Sequence, residues 1–535
     1  MYCLCLKILT TGAAEMLRTT QSIISPRCRL EEPSVKHRGS VVNRYKKITL
    51  TLTLAFISVS VSRVALSAPN ATENMSASIN AEVLASQKYS GGGMTVKRPS
   101  KRSYIYPGQA ASRKRQLDFW SGFSFFRDPW ITAPSVTKAR DGLGPLFNAR
   151  SCIACHQAGS RAPMPESGES LPTALIIRVG FNKPGLDHGL NHGLNHGNNS
   201  YGGQIQSRAI KYINNKLKQT LKHEAWLDLS YTFIDGQFPD GEPYQLQKPH
   251  YQLTKLAYGE LPEHAVLSPR YSPNVFGSGL LDAISAQDLL AQEDSDDVNK
   301  DGISPKYNRV VNIKSGQIEL GRFGMKAKHP TLAQQVAAAF RDDIGITNSF
   351  FPTESCTKSQ LFCQQASALG RHDSVEIEDK NLDLVITFNR LLGVPPARNL
   401  AKPKQQQGQR LFHQLGCAQC HTPSYLTDKN YPESALANQK IWPYTDLALH
   451  DMGAELADGV YEYEATGNEW RTPPLWGIGL QKKITGQQRF LHDGRARSIT
   501  EAILWHGGEA KLAQEKFKQL NKTERQALLM FVKSI

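Results

Sequence analysis

Gly416-Cys-Ala-Gln-Cys-His421 and Ser151-Cys-Ile-Ala-Cys-His156 repeat one pattern, two cysteines three positions apart with a histidine directly after the second. On one helical turn this spacing lets both thiols form thioethers with the two vinyl groups of a haem, while the histidine binds the iron. Zinc sites and dithiol redox centres also use Cys-x-x-Cys, but paired zinc motifs usually lie about 15 to 20 residues apart. These two motifs are separated by most of the chain. The sequence therefore predicts two covalent c-type haem groups, held by Cys152, Cys155 and His156 and by Cys417, Cys420 and His421.

The composition is that of an ordinary globular protein. With 535 residues, 40% hydrophobic and 21% charged, the chain is long enough for two or more domains. Residues 1–68 hold ten of the 63 Lys and Arg and three of the 48 Asp and Glu, so the formal charge of +15 falls to 53 against 45, or +8, beyond them. That balance predicts no nucleic-acid partner. It fits docking to a small acidic electron donor, a cytochrome or a cupredoxin, and it also fits a merely solvated surface.

Residues 44–68 have the features of an export signal. A basic end, an apolar run and a small-residue cleavage site follow one another at Arg44–Lys47, 48–62 and Ala65–Ser67. The run is shorter than the roughly 20 residues that cross a bilayer, so a retained membrane anchor is the weaker alternative. Export to the periplasm agrees with covalent haem attachment, which bacteria carry out outside the cytoplasm. The polar residues 1–40 do not suit such a signal, and we interpret them as a spurious extension ahead of a true start near Val41 or Val42.

We expect a mainly α fold with two cytochrome c-like haem domains. An amphipathic helix over 407–415 runs into the second motif, and a capping pattern at Thr523 begins a final helix, as in cytochromes c. Short alternating runs near Tyr201, Tyr231 and Tyr251 predict a small β element inserted in the first domain. The predicted divisions are an export signal with its upstream extension (1–68), a flexible linker (69–116), an N-terminal haem domain with long insertions (117–398) and a C-terminal cytochrome c domain (399–535).

An acidic stretch offers a second kind of metal site. Asp297, Asn299 and Asp301, followed by Gly302, match the first half of an EF-hand loop, in which oxygen ligands at alternate positions surround Ca²⁺. The bidentate glutamate of position 12 is missing, because Asn308 stands there. The sequence leaves a calcium site and a plain acidic turn as equal interpretations.

Cys356 and Cys363 remain between the haem motifs. In an exported protein we expect them to form a disulfide that closes a short loop, and a reactive thiol pair is the alternative. His188, His192 and His196 recur every four residues, but the glycines and asparagines between them disfavour the helix that would align them on a metal. We interpret this repeat as an exposed insertion.

The ligand opposite each haem-binding histidine decides the chemistry. An iron with two protein ligands moves electrons, whereas one with an open face can bind peroxide. For the second motif the candidates in the same domain are His450, Met452, His492 and His506, and the residues alone do not choose among them. The sequence likewise does not choose among four tryptophans that could relay electrons between the haems, namely Trp442, Trp470, Trp476 and Trp505.

Seven short runs carry a family resemblance: Phe147–His156, Tyr201–Gln204, Gly321–Gly324, Pro443–Leu447, His450–Gly453, Glu469–Gly477 and Phe490–Arg495. Together they resemble the di-haem oxidoreductases, a family that includes proteins named as thiol oxidoreductases. It is related to the bacterial di-haem cytochrome c peroxidases and to the di-haem enzyme that matures tryptophan tryptophylquinone. The resemblance covers about residues 117–535. It implies a redox enzyme in which one haem gathers electrons and the other meets peroxide or a similar oxidant.

The resemblance also implies iron ligands. His156 and His421 would be the proximal ligands, and His506 aligns near the place where the peroxidases have the methionine ligand of their electron-accepting haem. Histidine in place of methionine implies a lower reduction potential, because a thioether stabilises ferrous iron better than an imidazole does.

For the distal pocket the resemblance is less complete. Gln204 lies in a segment similar to the one that bears a distal glutamine in the peroxidases, and Arg208 could stabilise charge on the departing oxygen. The alternative is that Gln204 only pairs backbone groups in a turn. The catalytic glutamate of the peroxidases has no clear counterpart, and Glu242 and Glu260 are the candidates.

We therefore expect a periplasmic di-haem c-type oxidoreductase that reduces peroxide with electrons passed from the C-terminal to the N-terminal haem. A small electron-donor protein would supply the electrons, and a homodimer is compatible with the sequence. The alternatives are an electron-transfer di-haem cytochrome without a substrate pocket and a thiol oxidoreductase acting through Cys356 and Cys363.

Overall fold

The computed structural model describes residues 81–97, 100, 102–165, 167–170, 173–181, 200–214, 219–370 and 375–535. All of these belong to one compact unit, Ser76–Ile535. The predicted export signal and the repeat of His188, His192 and His196 lie outside the described residues. The longest described helix has 15 residues, and no helix in the described part of the chain has both the length and the apolar character that a membrane span requires.

Helices surround both cysteine-histidine motifs, and each motif is itself a single helical turn. A π-helical turn, Phe340–Ile344, directly follows the sixth helix. The helices are α1 (Ala81–Lys88), α2 (Arg113–Arg127), α3 (Cys152–Cys155), α4 (Ser278–Asp282), α5 (Ala286–Leu290), α6 (Leu332–Ala339), α7 (Leu361–Gly370), α8 (Asp379–Leu391), α9 (Pro403–Gln414), α10 (Cys417–Cys420), α11 (Gln481–Thr485), α12 (Ile499–Leu504), α13 (Lys511–Gln519) and α14 (Lys522–Val532).

The expectation of a mainly α fold is wrong. Helix makes up 32% of the structure and strand 17%, and the strands form several small antiparallel sheets. The strands are β1 (Leu146–Phe147), β2 (Gly168–Ser170), β3 (Leu175–Phe181), β4 (Arg208–Ala209), β5 (Ile213–Asn214), β6 (Gln219–Thr220), β7 (Trp226–Gln237), β8 (Pro243–Thr254), β9 (Ala265–Tyr271), β10 (Arg309–Val311), β11 (Ile318–Leu320), β12 (Tyr425–Leu426), β13 (Lys440–Ile441), β14 (Leu449–Asp451) and β15 (Glu469–Arg471).

The longest strands, β7 and β8, account for much of this difference. They form one hairpin that is paired from Trp226 and Thr254 at its base to Gln237 and Pro243 at its tip. Burial alternates along β7 only as far as Leu229, and the outer part of the strand is largely exposed. A half-buried strand is recognised in a sequence by the alternation of apolar and polar residues. This alternation predicts the base of the hairpin but not its full length.

The segment predicted as a flexible linker is packed into the fold where it is described. Met94 and Tyr104 are fully buried. The backbone N–H of Val96 donates to the carbonyl of Val394 (2.9 Å), and the Tyr104 hydroxyl donates to the carbonyl of Gly477 (2.6 Å). Residues 69–116 are rich in Ser, Gly and Lys, but a few apolar residues among them pack into the main core. The prediction of a flexible linker failed because it was based on composition alone.

One large apolar core spans the boundary that we predicted at residues 398 and 399. It combines Phe126, Phe388 and Trp130 from before the boundary with Leu447 and Trp476 from after it. The two motif-bearing segments are therefore joined by shared packing.

A helix pair crosses beside each motif, and each crossing depends on a glycine. Gly122 of α2 lies against α8, where a Cβ would come within 1.9 Å of the Leu384 carbonyl oxygen. Gly408 of α9 lies against α14, where a Cβ would come within 2.0 Å of the Ala527 carbonyl oxygen. Any side chain at these positions would force the helices apart, and with them the packing beside α3 and α10.

Candidate functional site

The two motifs line one continuous cavity of about 470 Å³. Cys152 and Cys155 lie at the two ends of α3, Cys417 and Cys420 lie at the two ends of α10, and all four are free of disulfide bonds. His156 and His421 follow these turns and also line the cavity. All six predicted attachment residues are thus brought to one cavity.

Both motif histidines are held in the state that a metal requires. The Nδ1–H of His156 donates to the Pro273 carbonyl at 2.8 Å, and that of His421 donates to the Tyr444 carbonyl at 3.0 Å. A carbonyl only accepts, so Nδ1 carries the proton and Nε2 keeps its lone pair. Burial lowers the pKa of each histidine to about 4, which favours the neutral, ligating form.

His506 has the same arrangement. Its Nδ1–H donates to the Ala502 carbonyl at 2.7 Å, and its ring lines the cavity. After burial, the charge of His506 is the next cause that lowers the pKa of His421, and both residues line the same cavity. The assignment of His506 as the second ligand at the second motif stays a prediction.

Of the other ligand candidates, His450 is bound to two carboxylates. Its Nε2 lies 2.8 Å from a carboxylate oxygen of Asp446 and its Nδ1 lies 2.6 Å from one of Glu509. With both ring nitrogens bound to carboxylates, His450 has no lone pair to offer. His492 stacks on Trp470, with ring centroids 3.6 Å apart.

Two arginines on the cavity wall fit the anionic groups of a haem. Arg161 donates to two backbone carbonyl groups at 3.1 and 3.4 Å, and its Nε has no hydrogen-bond partner among the described residues. Arg471 likewise donates to two backbone carbonyl groups. Burial lowers the pKa of both groups, that of Arg471 to about 10. A buried guanidinium requires an anion, and a haem carries two propionates. The residues present therefore fit the predicted cofactor.

An acidic pair lies beside the first motif. Asp342 and Asp343 belong to the π-helical turn and both line the cavity. Burial acts to raise the pKa of Asp342, but Arg341 (2.6 Å) and Arg178 (3.3 Å) outweigh it and lower that pKa. Burial, supported by the charge of Asp342, raises the pKa of Asp343 to about 6. The pKa values of two adjacent carboxyl groups are thus shifted in opposite directions.

Asp343 is close to the first motif. After burial, its negative charge is the next cause that raises the pKa of the Cys152 and Cys155 thiols. The backbone carbonyl of Asp343 also accepts the N–H groups of Asn148 and Ala149, at 2.8 and 3.0 Å, in the segment that leads into the motif. π-Helical turns are rare and often occur at functional sites.

Gln335 of α6 is a further polar group on the cavity wall. Its Oε1 is buried and has no hydrogen-bond partner among the described residues. A buried amide oxygen without a partner costs about 1–3 kcal/mol, so a bound group that donates a hydrogen bond would be stabilised there.

Neither Gln204 nor Arg208 lines the cavity. Gln204 is buried, and its Nε2 donates to Oδ1 of Asp343 and to the carbonyl of Asp342, both at 2.9 Å. Arg208 donates to the Asn148 carbonyl. The structure gives both residues supporting positions behind the acidic pair and the first motif.

The two glutamates considered for acid catalysis lie elsewhere on the molecule. Glu242 is at the tip of the β7–β8 hairpin, where it pairs with Arg525 at 2.6 Å. Glu260 is exposed in the loop before β9. The cavity wall includes neither of them.

The predicted calcium ligands lie on a loop next to the second motif. Oδ1 of Asp301 accepts the Ile303 N–H and its Oδ2 accepts the Gln419 amide, both at 2.9 Å, while Asp297 and Asn299 accept the N–H of Asp301. Asn308 at position 12 is fully buried and donates to two backbone carbonyls, so it serves the fold. Calcium binding at this loop stays a prediction.

Cys356 and Cys363 form a disulfide with an S–S distance of 1.96 Å. Cys363 is fully buried and packs with Leu146 of β1. Of the four tryptophans considered as relays, Trp470 lines the cavity, and Trp442, Trp476 and Trp505 do not.

The sequence pattern did not predict four of these site residues, Arg161, Arg178, Gln335 and Asp343. Arg178 lies on β3, one strand of the missed β structure. The adjacent acidic pair after an Ala-rich helix was a visible signal. Nothing in the sequence shows that one carboxyl pairs with two arginines while its neighbour is held by a glutamine amide.

Comparison with known proteins identifies a family. The family described as "Di-haem oxidoreductase, putative peroxidase" matches residues 199–535, which include the second motif, while the first motif lies upstream of the matched region. Comparison with the curated proteins gives no match. Among solved structures, a chain of the hydrazine synthase of Kuenenia stuttgartiensis is 18% identical, with 35% of this chain and 65% of that chain covered. The TM-score of 0.21 is too low to indicate a shared fold, and the present chain spans less than two thirds of that chain. Since the family match takes in more than half of the residues, the chain belongs to the di-haem oxidoreductase family.

Proposed function

We propose that the protein is a periplasmic oxidoreductase with two covalently bound c-type haems, which reduces peroxide with electrons passed from the C-terminal to the N-terminal haem. The observation that carries the proposal is the inequality of the two motifs within one cavity. His421 has a second histidine, His506, close by, whereas the first motif has Asp343 and a guanidinium beside it. A site with two histidines suits electron storage, and one with acid–base groups suits peroxide chemistry.

The cysteines and histidines of the motifs would hold the cofactors, with Arg161 and Arg471 placed to bind propionates. When bound, the haems supply the iron that exchanges electrons with peroxide. Overall, H₂O₂, two electrons and two protons give two molecules of water. Side chains on the cavity wall would move the protons and stabilise the charge.

Asp343 is the group best placed to transfer a proton. The amide of Gln204 holds its Oδ1, and its Oδ2 accepts no hydrogen bond from the described residues. In its ionised form this oxygen can take a proton from hydrogen peroxide and return it to the departing oxygen. With a pKa of about 6, Asp343 can do both near neutral pH.

Two neighbours would orient peroxide and stabilise its charge. The unpartnered Oε1 of Gln335 can accept a hydrogen bond from the peroxide O–H. The guanidinium of Arg178 lines the same cavity and can stabilise the developing hydroxide, the role first considered for Arg208. Gln204 becomes a positioning residue that acts through Asp343.

The test is the Asp343→Asn variant. We expect its rate of peroxide reduction to fall by about 100-fold, the usual size of a general acid–base contribution, with unchanged haem content. In the wild type the rate should rise with pH through about 6, because only ionised Asp343 can accept the proton. The variant should lack that rise.

Asp342→Asn is the matched control. The negative charge of Asp342 helps to raise the pKa of Asp343, so this variant should keep the rise and move it to lower pH. An Asp343→Asn enzyme with the wild-type pH profile would exclude the acid–base role. No spectral response of the half-reduced wild type to peroxide would favour the electron-carrier alternative.

A further inference from the structure

Trp470, which lines the cavity, has its indole ring enclosed on both faces. The His492 ring stacks on one face, with centroids 3.6 Å apart and an angle of 14° between the ring planes. The ammonium of Lys326 and the guanidinium of Arg270 lie 4.5 and 4.8 Å from the indole centroid. Because the His492 ring already fills one face, the two cations cover the other.

The His492 side of this stack is joined to the first motif. The His492 carbonyl accepts the N–H of Tyr271 at 2.7 Å. Two positions further along the chain, the Pro273 carbonyl accepts the Nδ1–H of His156 at 2.8 Å. A ring stack, two hydrogen bonds and three consecutive residues thus connect Trp470 with the histidine expected to bind the first iron.

The β14–β15 pair joins Trp470 to the second motif. Trp470 stands directly opposite His450 in this antiparallel pair, and side chains in such positions share a face and lie close together. Nδ1 of His450 lies 3.5 Å from Sγ of Cys420, which is expected to attach the second haem. Close contacts through His450, Trp470 and His492 therefore lead from the second motif towards the first. We call these three residues the ring bridge.

The surroundings of Trp470 favour its reduced state. Its Nε1–H donates to the Leu456 carbonyl at 2.9 Å, and a carbonyl is too weak a base to take the proton from an oxidised indole. The positive charge of that oxidised ring would also be repelled by Lys326 and Arg270. The neutral ring, in contrast, attracts both cations to its face.

The cation of Lys326 is held in place by its own contacts. Its side chain is fully buried, and its Nζ donates to the carbonyl groups of Thr466 and Glu469 at 2.6 and 3.0 Å. Asp458 lies 3.0 Å away and supplies the negative charge that a buried ammonium requires. Asp458 also pairs with Arg270 at 3.1 Å, so both cations are fixed against the indole by one carboxylate.

We propose that the ring bridge carries electrons by tunnelling from the second haem site to the first, and that Lys326 and Arg270 keep Trp470 from being oxidised. This inference rests on the proposed function and gives it a route. Each transfer takes one electron from the second site and adds it to the first, with no net change at Trp470. Two transfers, with two protons, convert one peroxide into two water molecules.

The first test compares two replacements of Trp470 in the full, haem-loaded protein. Trp470→Phe keeps a ring that is harder to oxidise than indole, whereas Trp470→Leu removes the ring. Protein with a reduced second haem is mixed with peroxide, and the reoxidation of that haem is followed by absorbance. A tunnelling bridge predicts nearly the wild-type rate for the Phe variant and a several-fold slower rate for the Leu variant.

Trp442→Leu is the matched control for the first test, because Trp442 is also buried but does not line the cavity. It should react at the wild-type rate. Potentiometric titration of each variant should give unchanged potentials for both haems, so that a slower rate reports the route and not the driving force.

The second test locates oxidised tryptophan by peptide mass spectrometry after excess peroxide is added without an electron donor. Trp470 should stay unmodified in the wild type. Lys326→Met removes one cation while Arg270 still pairs with Asp458, and it should give several-fold more oxidised Trp470. Lys440→Met is the control, because Lys440 lies over Trp442, at 5.4 Å, and it should leave Trp470 unmodified.

Three results would overturn the inference. Equal rates for the wild type and Trp470→Leu would remove Trp470 from the route. A Phe variant as slow as the Leu variant would show that the indole itself must be oxidised, and so would oxidised Trp470 in the wild type. A wild type whose second haem is not reoxidised by peroxide would instead overturn the proposed function.

Discussion

Neighbouring residues of the same type can have opposite chemistry in this protein. Asp342 and Asp343 are adjacent in the chain, yet guanidinium groups keep the first ionised while burial raises the pKa of the second to about 6. Such separation of two carboxyl groups is what acid–base catalysis at neutral pH requires. It arises from contacts made by Arg178, which is 164 positions away from Asp342, so the sequence alone could not have predicted it.

A second buried carboxyl, Glu224, leads to a prediction about stability. Its oxygens accept the Gln206 N–H at 2.6 Å and the Gln360 amide at 2.5 Å, and burial raises its pKa from 4.5 to about 8. Between these pH values the folded state keeps a proton that the unfolded chain releases. The contribution of Glu224 to stability is therefore complete below about pH 4.5 and is lost as pH rises towards 8, by about 5 kcal/mol at most.

Glu224→Gln should remove this dependence, because the amide is neutral throughout. From pH 5 to pH 8 the wild type should lose a few kcal/mol of unfolding free energy that the variant keeps. Urea unfolding at several pH values measures it. Glu263→Gln, at an exposed position, shows the effect of exchanging a surface carboxyl. A pH-independent difference for Glu224→Gln would contradict the raised pKa.

At the scale of single elements, helices were easier to predict than strands. The predicted final helix is present, but it begins at Lys522 with a capping box of Asn521 and Glu524 in place of the expected Thr523 pattern. Asn521 with Glu524 and Thr523 with Gln526 both have the residue types and the spacing of a capping box. The sequence alone therefore could not show which pair begins the helix. Strands such as β14 and β15 have only three residues each, too short for any alternation to be visible.

The β7–β8 hairpin provides a prediction at this scale. Its tip is joined to α14 by Arg525, whose side chain is 4% exposed, bonds Asp240 and Glu242 at 2.7 and 2.6 Å, and covers the Phe238 ring at 4.0 Å. Removing one member of a buried ion pair is costly, and the partial exposure of both acids reduces the cost. We expect Arg525→Ala to destabilise the protein by about 2 kcal/mol.

The free energy of unfolding of Arg525→Ala can be measured with denaturant, and Lys522→Ala is the control. Lys522 lies 3.8 Å from Glu242, but its side chain is 63% exposed, so its loss should cost less than about 0.5 kcal/mol. Equal effects of the two substitutions would show that burial adds nothing to the Arg525 contacts.

For the whole molecule, the sequence identified six motif residues that the structure brings to one cavity, but it predicted the surrounding architecture poorly. The motif residues could be identified because each motif is local, with all its residues within five positions. The shared cavity depends on contacts between distant segments, such as the 117 positions between His156 and Pro273. The predicted linker failed for the same reason, since Tyr104 is buried by partners such as Gly477 far along the chain.

The inequality of the two sites gives the last prediction. If His506 is the second ligand at the second motif, His506→Met replaces an imidazole by a thioether, which stabilises ferrous iron better. The potential of one haem should then rise by roughly 100 mV, within the ~0.8 V range that axial ligands control, while the other keeps its value. Potentiometric titration followed by absorbance measures both. His492→Met is the control, because His492 also lines the cavity but stacks on Trp470. A rise in the control, or none in His506→Met, would remove His506 from the ligand set and with it the separation of electron storage from peroxide chemistry.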